Sequence, residues 1–428
     1  MKIKNYNEIA SSALRKDALS IMEAGLQAID MKEAIHRKVD FLDGSLVVGK
    51  KSFKIEDANR IFVVGIGKGS RGAISGLEDV LDGSIYAGIV FDIQVGDFKH
   101  SVSYVGDHPI ASEKNVNITR KIIDLLEEAN EDDLVIMCIA GGGSALLCQP
   151  HEMTCRQEGD IVDYLFQKGA DIYELNTVRK HLSLARGGYL AKSAYPARVI
   201  SLIFSDVPGN DISSVASGPT VQDKTTLKDV EKVFQKYKIE DELGIAPDNL
   251  IETPQEEKYF ERVENILFLS NKDALNAMRF KAEELGYTAK ICNSCLEGEA
   301  RDMGLRIAEQ INSEKEKTAL LYGGETTVTR KEKGGKGGRS LELALSGIRK
   351  IKEGKLLLPF ASDGRDNTEY AGALCDTITK KHAENLGLDP DKHIRKNLSF
   401  AFFEQTGDKV LTGPLDSNVS DLIIALSE

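Results

Sequence analysis

Three glycine-rich turns carry the residues of this chain best suited to binding an anion. The first is Gly141-Gly142-Gly143, followed by Ser144. It comes after the unbroken apolar run 134–140, which is typical of a strand buried on both faces of a parallel sheet, and before an apolar helical pattern. Such an order presents backbone N–H groups and the positive end of a helix dipole. The stretch predicts a phosphate site, but a tight turn that needs glycine only for its backbone angles explains it equally well.

The second turn, 67–72, reads G-K-G-S-R-G after the apolar run 61–65. It matches the dinucleotide fingerprint G-x-G-x-x-G, and Asp92 follows the next strand at the offset of about 20 residues expected of a ribose-binding acid. Lys68, however, puts a bulky charge where a pyrophosphate turn normally has none. A lysine there suits a transferred phosphoryl group or a substrate carboxylate better. The residues alone leave both interpretations open.

The third turn, 334–340, has four glycines around Lys336 and ends in Arg339 and Ser340. Gly337 and Gly338 are its predicted phosphate contacts, and a flexible hairpin tip is the alternative. The turn is no Walker A loop, because G-x-x-x-x-G-K-[ST] occurs nowhere in the chain. Arg339 offers the planar fork that carboxylates and phosphates prefer.

The stretch 175–190 carries Asn176, Arg179 and Lys180 on what would be one broad face of a helix. Such basic faces are usually solvated surface. An excess of cations on an acidic protein nevertheless favours a bound anion. We therefore predict that Asn176 and Arg179 bind substrate.

Carboxylates follow several apolar strands. Asp206 comes after 199–204, Glu325 after 319–322, and Asp363 after 356–361. The carboxyl ends of parallel strands are where α/β sheets bind ligands and metals. Asp206 is predicted to bind Mg²⁺ or to accept a hydroxyl proton. Glu325 and Asp363 are further metal candidates, ranked lower because acids on exposed loops are more often solvated.

The size and order of these elements predict two α/β domains. The chain has 428 residues, more than one core usually serves. Strands alternate with helical patterns, and a stretch rich in acids and prolines, 247–257, suggests domains at 1–250 and 251–428. The net charge of −12 argues against a nucleic-acid partner. No apolar run reaches the roughly 20 residues of a membrane span, so we expect a cytoplasmic protein.

Nine motifs together resemble the glycerate kinases of the MOFRL-domain type, in order along nearly the whole chain. They are G-K-G-S (67–70), G-G-G-S-A-L-L (141–147), L-N-T-V-R-K-H-L-S (175–183), S-D-V-P-G (205–209), A-S-G-P-T (216–220), Y-G-G-E-T-T-V (322–328), G-G-R-S-L-E-L (337–343), S-D-G-R-D (362–366) and G-P-L-D-S-N-V (413–419). The resemblance implies an N-terminal Rossmann-like, mostly parallel sheet, a second α/β domain, and an active site in the cleft between them.

The same resemblance implies phosphorylation of D-glycerate by ATP with Mg²⁺, giving 2-phosphoglycerate. Lys68, Asp206 and Arg339 are then the catalytic candidates, and Lys68 and Arg339 also the substrate ligands beside Asn176 and Arg179. Two other functions remain open. One is an NAD(P)-dependent hydroxypyruvate reductase, suggested by the fingerprint at 67–72 with Asp92; the other is a non-catalytic metabolite-binding protein. The sequence leaves a homo-oligomer open.

Overall fold

The computed structural model describes residues 1–315, 317–329 and 335–428. The chain forms two compact units. We call residues 31–205 and 210–268 the amino unit, and residues 1–30, 206–209 and 269–428 the carboxyl unit.

The strands and helices are numbered in chain order. The strands are β1 (Val39–Leu42), β2 (Ser45–Val48), β3 (Lys51–Lys54), β4 (Ile61–Ile66), β5 (Ile85–Asp92), β6 (Ser101–Val105), β7 (Leu134–Ala140), β8 (Arg198–Phe204), β9 (Val263–Leu269), β10 (Thr288–Leu296), β11 (Thr318–Gly324), β12 (Lys355–Ala361), β13 (Gly372–Ala373), β14 (Cys375–Asp376), β15 (Lys409–Val410) and β16 (Asp421–Ser427). The α-helices are α1 (Tyr6–Ile9), α2 (Ala13–Ala28), α3 (Met31–Lys38), α4 (Ser70–Leu81), α5 (Glu113–Glu127), α6 (Gly143–Leu146), α7 (Cys155–Gln167), α8 (Ile172–His181), α9 (Tyr189–Ala194), α10 (Leu227–Tyr237), α11 (Ile239–Leu243), α12 (Asn271–Glu284), α13 (Ala300–Ser313), α14 (Arg339–Gly347), α15 (Thr377–Asn385), α16 (Pro390–Arg395) and α17 (Ser399–Thr406).

The amino unit is built on a six-stranded sheet in the order β6-β5-β4-β7-β8-β9. The pairs β5–β6, β4–β5, β4–β7 and β7–β8 are all parallel. Counted along the chain from β4, this order is 3-2-1-4-5-6, the order of the Rossmann fold. Every residue of β4 and β7 is buried, which explains their unbroken apolar sequences. The predicted Rossmann-like, mostly parallel sheet is confirmed.

The carboxyl unit is also α/β, but its sheet is mixed. Its order is β10-β11-β16-β12-β13-β15, with β14 paired to β12. The last strand, β16, runs antiparallel to both of its neighbours, β11 and β12. Helices α13 and α14 pack on each other beside this sheet, and their apolar faces supply much of its core. The two α/β folds expected from the sequence are therefore both present.

Two elements lie elsewhere than the sequence suggested. Strand β9, which we expected to open the second domain, is the edge strand of the amino unit's sheet. Helix α2, near the amino terminus, packs against α12 of the carboxyl unit, where Gly25 allows the close approach of Met278. The division into 1–250 and 251–428 stays a prediction.

A helix that crosses a membrane needs about 20 residues of mostly apolar composition. Within the described ranges, none of the helices has both the length and the apolar composition to cross a bilayer.

Candidate active site

The glycine turns after β4 and β7 meet in the amino unit. The N–H of Lys68 donates to the carbonyl of Gly141 at 2.9 Å. A side chain at Gly67 would overlap the carbonyl of Ala140, and the φ of Gly67 is +104°, so only glycine allows this approach. Strands β4 and β7 are the neighbours at which the strand order reverses, and sheets of this type bind ligands in the crevice at that point.

Two side chains flank the glycine loop at Gly142. A Cβ placed there would lie 3.1 Å from Lys68 Cγ and 3.2 Å from His108 Nε2. The sequence placed Lys68 in the 67–72 turn, and its position beside Gly142 was not predicted. No role was assigned to His108, which lies in the loop after β6.

The predicted Ser144 and Asn176 are joined through a residue that we had not singled out. The Ser217 hydroxyl donates to Asn176 Oδ1 at 3.0 Å, and its oxygen lies 3.1 Å from Ser144 Oγ. Beneath the loop, a Cβ at Gly143 would lie 2.6 Å from the Cβ of Ala216. Helix α6 is only four residues long, so the helix dipole contributes less here than the sequence pattern suggested. Phosphate binding by the loop amides stays a prediction.

The two basic residues Arg179 and Lys180 of α8 have different surroundings. Lys180 is buried, and its ammonium lies 3.1 Å from Asp223 Oδ1, so it forms an internal ion pair. Arg179 is partly buried, and its guanidinium has neither a hydrogen-bond partner nor an ion-pair partner in the described part of the chain. Burial, together with the charge of Arg186, lowers the pKa of Arg179 to about 10. Arg179 therefore remains a candidate anion ligand.

The acid of the dinucleotide fingerprint has a structural role. Asp92 is 1% exposed, and its carboxylate accepts the backbone N–H of Arg71 at 3.1 Å. Arg71 lies in the first turn of α4, so Asp92 satisfies a donor at the start of that helix. A carboxylate held in this way is not presented to a ribose hydroxyl. The observation weakens the reductase interpretation.

Arg339 begins α14 in the carboxyl unit and already faces two carboxylates. Its Nε lies 2.9 Å from Asp421 Oδ2, its Nη2 donates to Asp421 Oδ1 at 3.3 Å, and its Nη1 contacts Glu325. Burial raises the pKa of Asp421, although Arg339 opposes this shift. The predicted metal ligand Glu325 is therefore the partner of a predicted catalytic arginine. Asp421, which the sequence analysis did not assign to the site, fixes the orientation of Arg339.

The start of α14 is occupied by a protein carboxylate. Asp366 accepts the backbone N–H groups of Ser340 and Leu341, at 3.1 and 2.7 Å. A Cβ at Gly338 would overlap Asp366, which explains the glycine there. The two helix amides after Arg339 are thus already satisfied. Phosphate binding by Gly337 and Gly338 stays a prediction, and Gly334 of the same turn lies outside the described residues.

Two predicted metal ligands converge on one loop of the carboxyl unit. Asn418 donates to Asp206 Oδ2 at 2.9 Å, and the Ser420 hydroxyl donates to the Asp206 carbonyl. The same loop holds Ser362, the residue before Asp363, because Ser417 donates to its carbonyl at 2.6 Å and its hydroxyl accepts the N–H of residue 419 at 2.8 Å. In the ranges that the structure describes, no three His, Cys, Asp or Glu side chains form a group that could hold a metal by themselves.

Comparison with known proteins identifies the family. Residues 17–252 match a family described as a domain of unknown function, DUF4147, and residues 318–421 match the MOFRL family. The chain is 33% identical to the glycerate 2-kinase of Pyrococcus horikoshii, over 96% of this chain and 97% of that one. The chain belongs to the MOFRL-type glycerate kinase family.

Two further relatives carry different names. A crystal structure of glycerate kinase from Thermotoga maritima matches with a TM-score of 0.85 at 32% identity, covering 97% of this chain and 100% of that chain. A putative hydroxypyruvate reductase from Agrobacterium vitis is 35% identical over 85% of this chain and 86% of its own length.

In this member of the glycerate kinase family, the predicted residues fall into two sets. Those of the amino unit are Lys68, Gly141, Gly142, Gly143, Ser144, Asn176 and Arg179. Those of the carboxyl unit are Asp206, Glu325, Gly337, Gly338, Arg339 and Asp363. The short segment 206–209 belongs to the carboxyl unit although β8, which precedes it, lies in the sheet of the amino unit.

Proposed function

We propose that this protein transfers the γ-phosphoryl group of ATP to the C2 hydroxyl of D-glycerate, giving 2-phosphoglycerate and ADP. The observation that carries the proposal is the meeting of the Lys68 turn with the glycine loop at the reversal point of a 3-2-1-4-5-6 sheet. The names of the relatives supply the substrate. Family resemblance supplies ATP and the C2 position, and a cytoplasmic location stays a prediction.

Phosphoryl transfer suits these parts because it needs positioning and charge neutralisation more than covalent chemistry. In the proposal, the ammonium of Lys68 neutralises the transferring phosphoryl group. The backbone amides of residues 141–143 bind phosphate oxygens, and glycine there lets the phosphates approach the main chain closely.

Arg339 is proposed to stabilise the charge of the transferring group from its outer nitrogen. Asp421 occupies the Nε and Nη2 edge of the guanidinium and sets its plane. Glu325 contacts the Nη1 atom, and the side chain of Glu325 is 46% exposed. An exposed carboxylate is displaced by a phosphate more easily than a buried one, because water can solvate it after it leaves. In the proposal, the phosphate displaces Glu325 from the Nη1 atom, and Arg339 then contacts the reacting phosphate directly.

The residues present fit a magnesium ion that is held mostly by the nucleotide. Magnesium prefers oxygen ligands and is usually bound by one or two carboxylates together with phosphates and water, so a protein cage is not required. Asp206 and Asp363, joined by the 417–420 loop, are the carboxylates that would hold it. When bound, the ion would neutralise charge on the phosphate oxygens. Glu325 fits less well, because Arg339 engages it.

One pair of assays separates the three functions. A kinase releases ADP when given D-glycerate and ATP, whereas a hydroxypyruvate reductase consumes reduced nicotinamide when given hydroxypyruvate. A metabolite-binding protein does neither. We expect ADP release only. Nicotinamide oxidation without ADP release would replace the kinase proposal with the reductase, despite the buried position of Asp92.

The hydroxyl that is phosphorylated needs its own test. Enolase and pyruvate kinase convert 2-phosphoglycerate directly to pyruvate, and 3-phosphoglycerate requires phosphoglycerate mutase first. We expect pyruvate from the coupled reaction without mutase. If pyruvate appeared only after mutase was added, the product would be 3-phosphoglycerate and the C2 assignment would be wrong.

A further inference from the structure

Two arginines lie close together behind the glycine loop of the amino unit. Arg186 is 1% exposed. Its Nη2 donates to the carbonyl of Ser144 at 2.7 Å, and its Nη1 contacts Glu158 and donates to the carbonyl of Arg179 at 3.4 Å. Its Nε is buried and has no hydrogen-bond partner within the described residues. Arg186 therefore links the end of the glycine loop to α7 and α8.

The charges of the two arginines are compensated unequally. Glu158, itself 5% exposed, forms an ion pair with Arg186. Arg179 has no carboxylate within ion-pair distance in the described ranges. Burial and the neighbouring Arg186 lower its pKa, and the charges of Glu158 and Asp163, which act from beyond ion-pair distance, offset this only in part. A buried charge that is only partly compensated lowers the stability of the free protein. An anion that reaches Arg179 would remove this cost.

A second donor lies on the same face of α8. Asn176 is one helical turn before Arg179, so the two side chains are neighbours. The Asn176 carbonyl oxygen accepts the Ser217 hydroxyl, which fixes the orientation of the amide. For its Nδ2 we find no partner in the part of the chain that the structure describes. A fixed amide donor beside a guanidinium that lacks an ion-pair partner in the described ranges matches a carboxylate, which accepts several hydrogen bonds in one plane.

Arg339 is less suited to this task. Asp421 already holds two nitrogens of its guanidinium, and Glu325 holds the third. A substrate carboxylate would have to displace a protein carboxylate there, with little net gain. At Arg179 no protein carboxylate in the described ranges lies within ion-pair distance, so none has to be displaced.

We propose that Arg179 and the Nδ2 of Asn176 form the receptor for the substrate carboxylate, and that this receptor binds a small hydroxy acid without nucleotide or metal. Arg186 is a positioning residue that holds the α8 backbone and the glycine loop in register. The identity of the hydroxy acid, D-glycerate, rests on the proposed function. The shared chemistry is anion binding, so a nucleotide phosphate is the competing occupant.

Titration calorimetry on the full chain tests the receptor without turnover. D-glycerate is added in the absence of ATP and Mg²⁺ to the wild type and to Arg179→Met, Arg339→Met and Arg120→Met. Arg120 is an exposed arginine on α5 and serves as the matched control. Loss of charge-assisted hydrogen bonds of about 1.5–3 kcal/mol predicts an affinity about 10- to 100-fold weaker in Arg179→Met alone. Unchanged binding in Arg179→Met, or loss in Arg339→Met alone, would overturn the proposal.

The competing occupant is tested in the same variants with ADP. The receptor proposal expects Arg179→Met to bind ADP as the wild type does. If that variant lost affinity for ADP and kept it for D-glycerate, Arg179 would be a phosphate ligand and the carboxylate assignment would be wrong. Glycerate binding without ADP release would overturn the kinase proposal and leave the receptor standing, so the two failures are distinguishable.

Thermal unfolding gives an independent measurement. Arg179→Met should unfold at a higher temperature than the wild type when no ligand is present, and D-glycerate should raise the midpoint of the wild type but not that of Arg179→Met. For Arg186, the double variant Arg186→Met with Glu158→Leu removes both members of the Arg186–Glu158 ion pair, so neither of them is left as an unpaired charge. We expect this variant to fold and to show a raised KM for glycerate with a smaller change in kcat. An unchanged KM in the folded double variant would remove Arg186 from its positioning role.

Discussion

The carboxylate of Asp366 accepts the backbone N–H of Leu341 at 2.7 Å, in the first turn of α14. Burial, and then the nearby charge of Asp421, raise the pKa of Asp366 to about 7. The helix amides oppose this shift because they favour the ionised form. A group with so high a pKa makes the stability of the protein depend on pH.

The first prediction is the sign of that dependence. The folded chain binds the proton of Asp366 more tightly than the unfolded chain does, so this group stabilises the fold at low pH and loses that contribution as the pH rises from about 4 to about 7. The slope from one such group is at most about 1.4 kcal/mol per pH unit. Urea unfolding of the wild type and Asp366→Asn across this range measures it. The free energy of unfolding of the wild type minus that of Asp366→Asn should fall as the pH rises. A difference that stays constant or grows would contradict the raised pKa of Asp366.

Lys68→Ala should lower kcat by about 100- to 1,000-fold, as loss of one charge-stabilising donor does. Its urea midpoint should stay near the wild-type value, because the turn is held by backbone contacts of residues 67 and 68. ADP release measures the rate. Lys114→Ala, an exposed lysine on α5, is the control. Near-normal kcat in Lys68→Ala would exclude the proposed role.

Arg339→Lys should lower kcat/KM markedly even though it keeps the charge. An ammonium cannot make the two-point contact that Arg339 makes with Asp421, so its charge would no longer be fixed towards the phosphate. Steady-state kinetics with D-glycerate and ATP give the comparison. Unchanged kcat and KM would remove Arg339 from the site.

Gly67→Ala should disturb the meeting of the two glycine turns. A Cβ there overlaps Ala140, and alanine at a positive φ adds strain of about 1–2 kcal/mol. A displacement of about 1 Å at Lys68 can cost about 100-fold in rate. Gly159→Ala is the matched control, because it lies within α7 with open space around it, and we expect it to stabilise the helix by about 0.5–1 kcal/mol. Equal activity in the two variants would contradict the close approach.

Arg15→Met should destabilise the carboxyl unit by about 3–5 kcal/mol. Arg15 on α2 is 2% exposed and pairs with Asp376 at 2.7 Å and with Asp408 at 2.8 Å, so its loss leaves two buried carboxylates without their cation. Lys16→Met, on the exposed face of the same helix, should change stability little. The urea unfolding midpoints of the two full-length variants and the wild type measure these effects. Similar midpoints for both variants would show that the ion pairs of Arg15 contribute little to the stability of this unit.

The sequence by itself determined the local elements and the family. The unbroken apolar run 134–140 predicted β7 to the residue, since a strand buried on both faces cannot carry polar side chains. Glycines at 67 and 141–143 marked the two turns correctly. The motifs placed Lys68, Arg339 and Asp206 among the site candidates, because short patterns are read without knowledge of the fold.

Only the tertiary structure decided which partner each side chain meets. Lys180 and Arg179 are adjacent in sequence, yet one pairs with Asp223 and the other lacks a partner in the described chain. Asp92 fits a ribose-binding pattern but is buried at the end of β5, where it accepts a backbone N–H from the first turn of α4. Arg186 lies in the stretch 175–190 but was not assigned to the site. The physical reason is that charge compensation and burial depend on residues far apart in the chain, as with Asp206 and Asn418, whereas periodicity and glycine content report only local geometry.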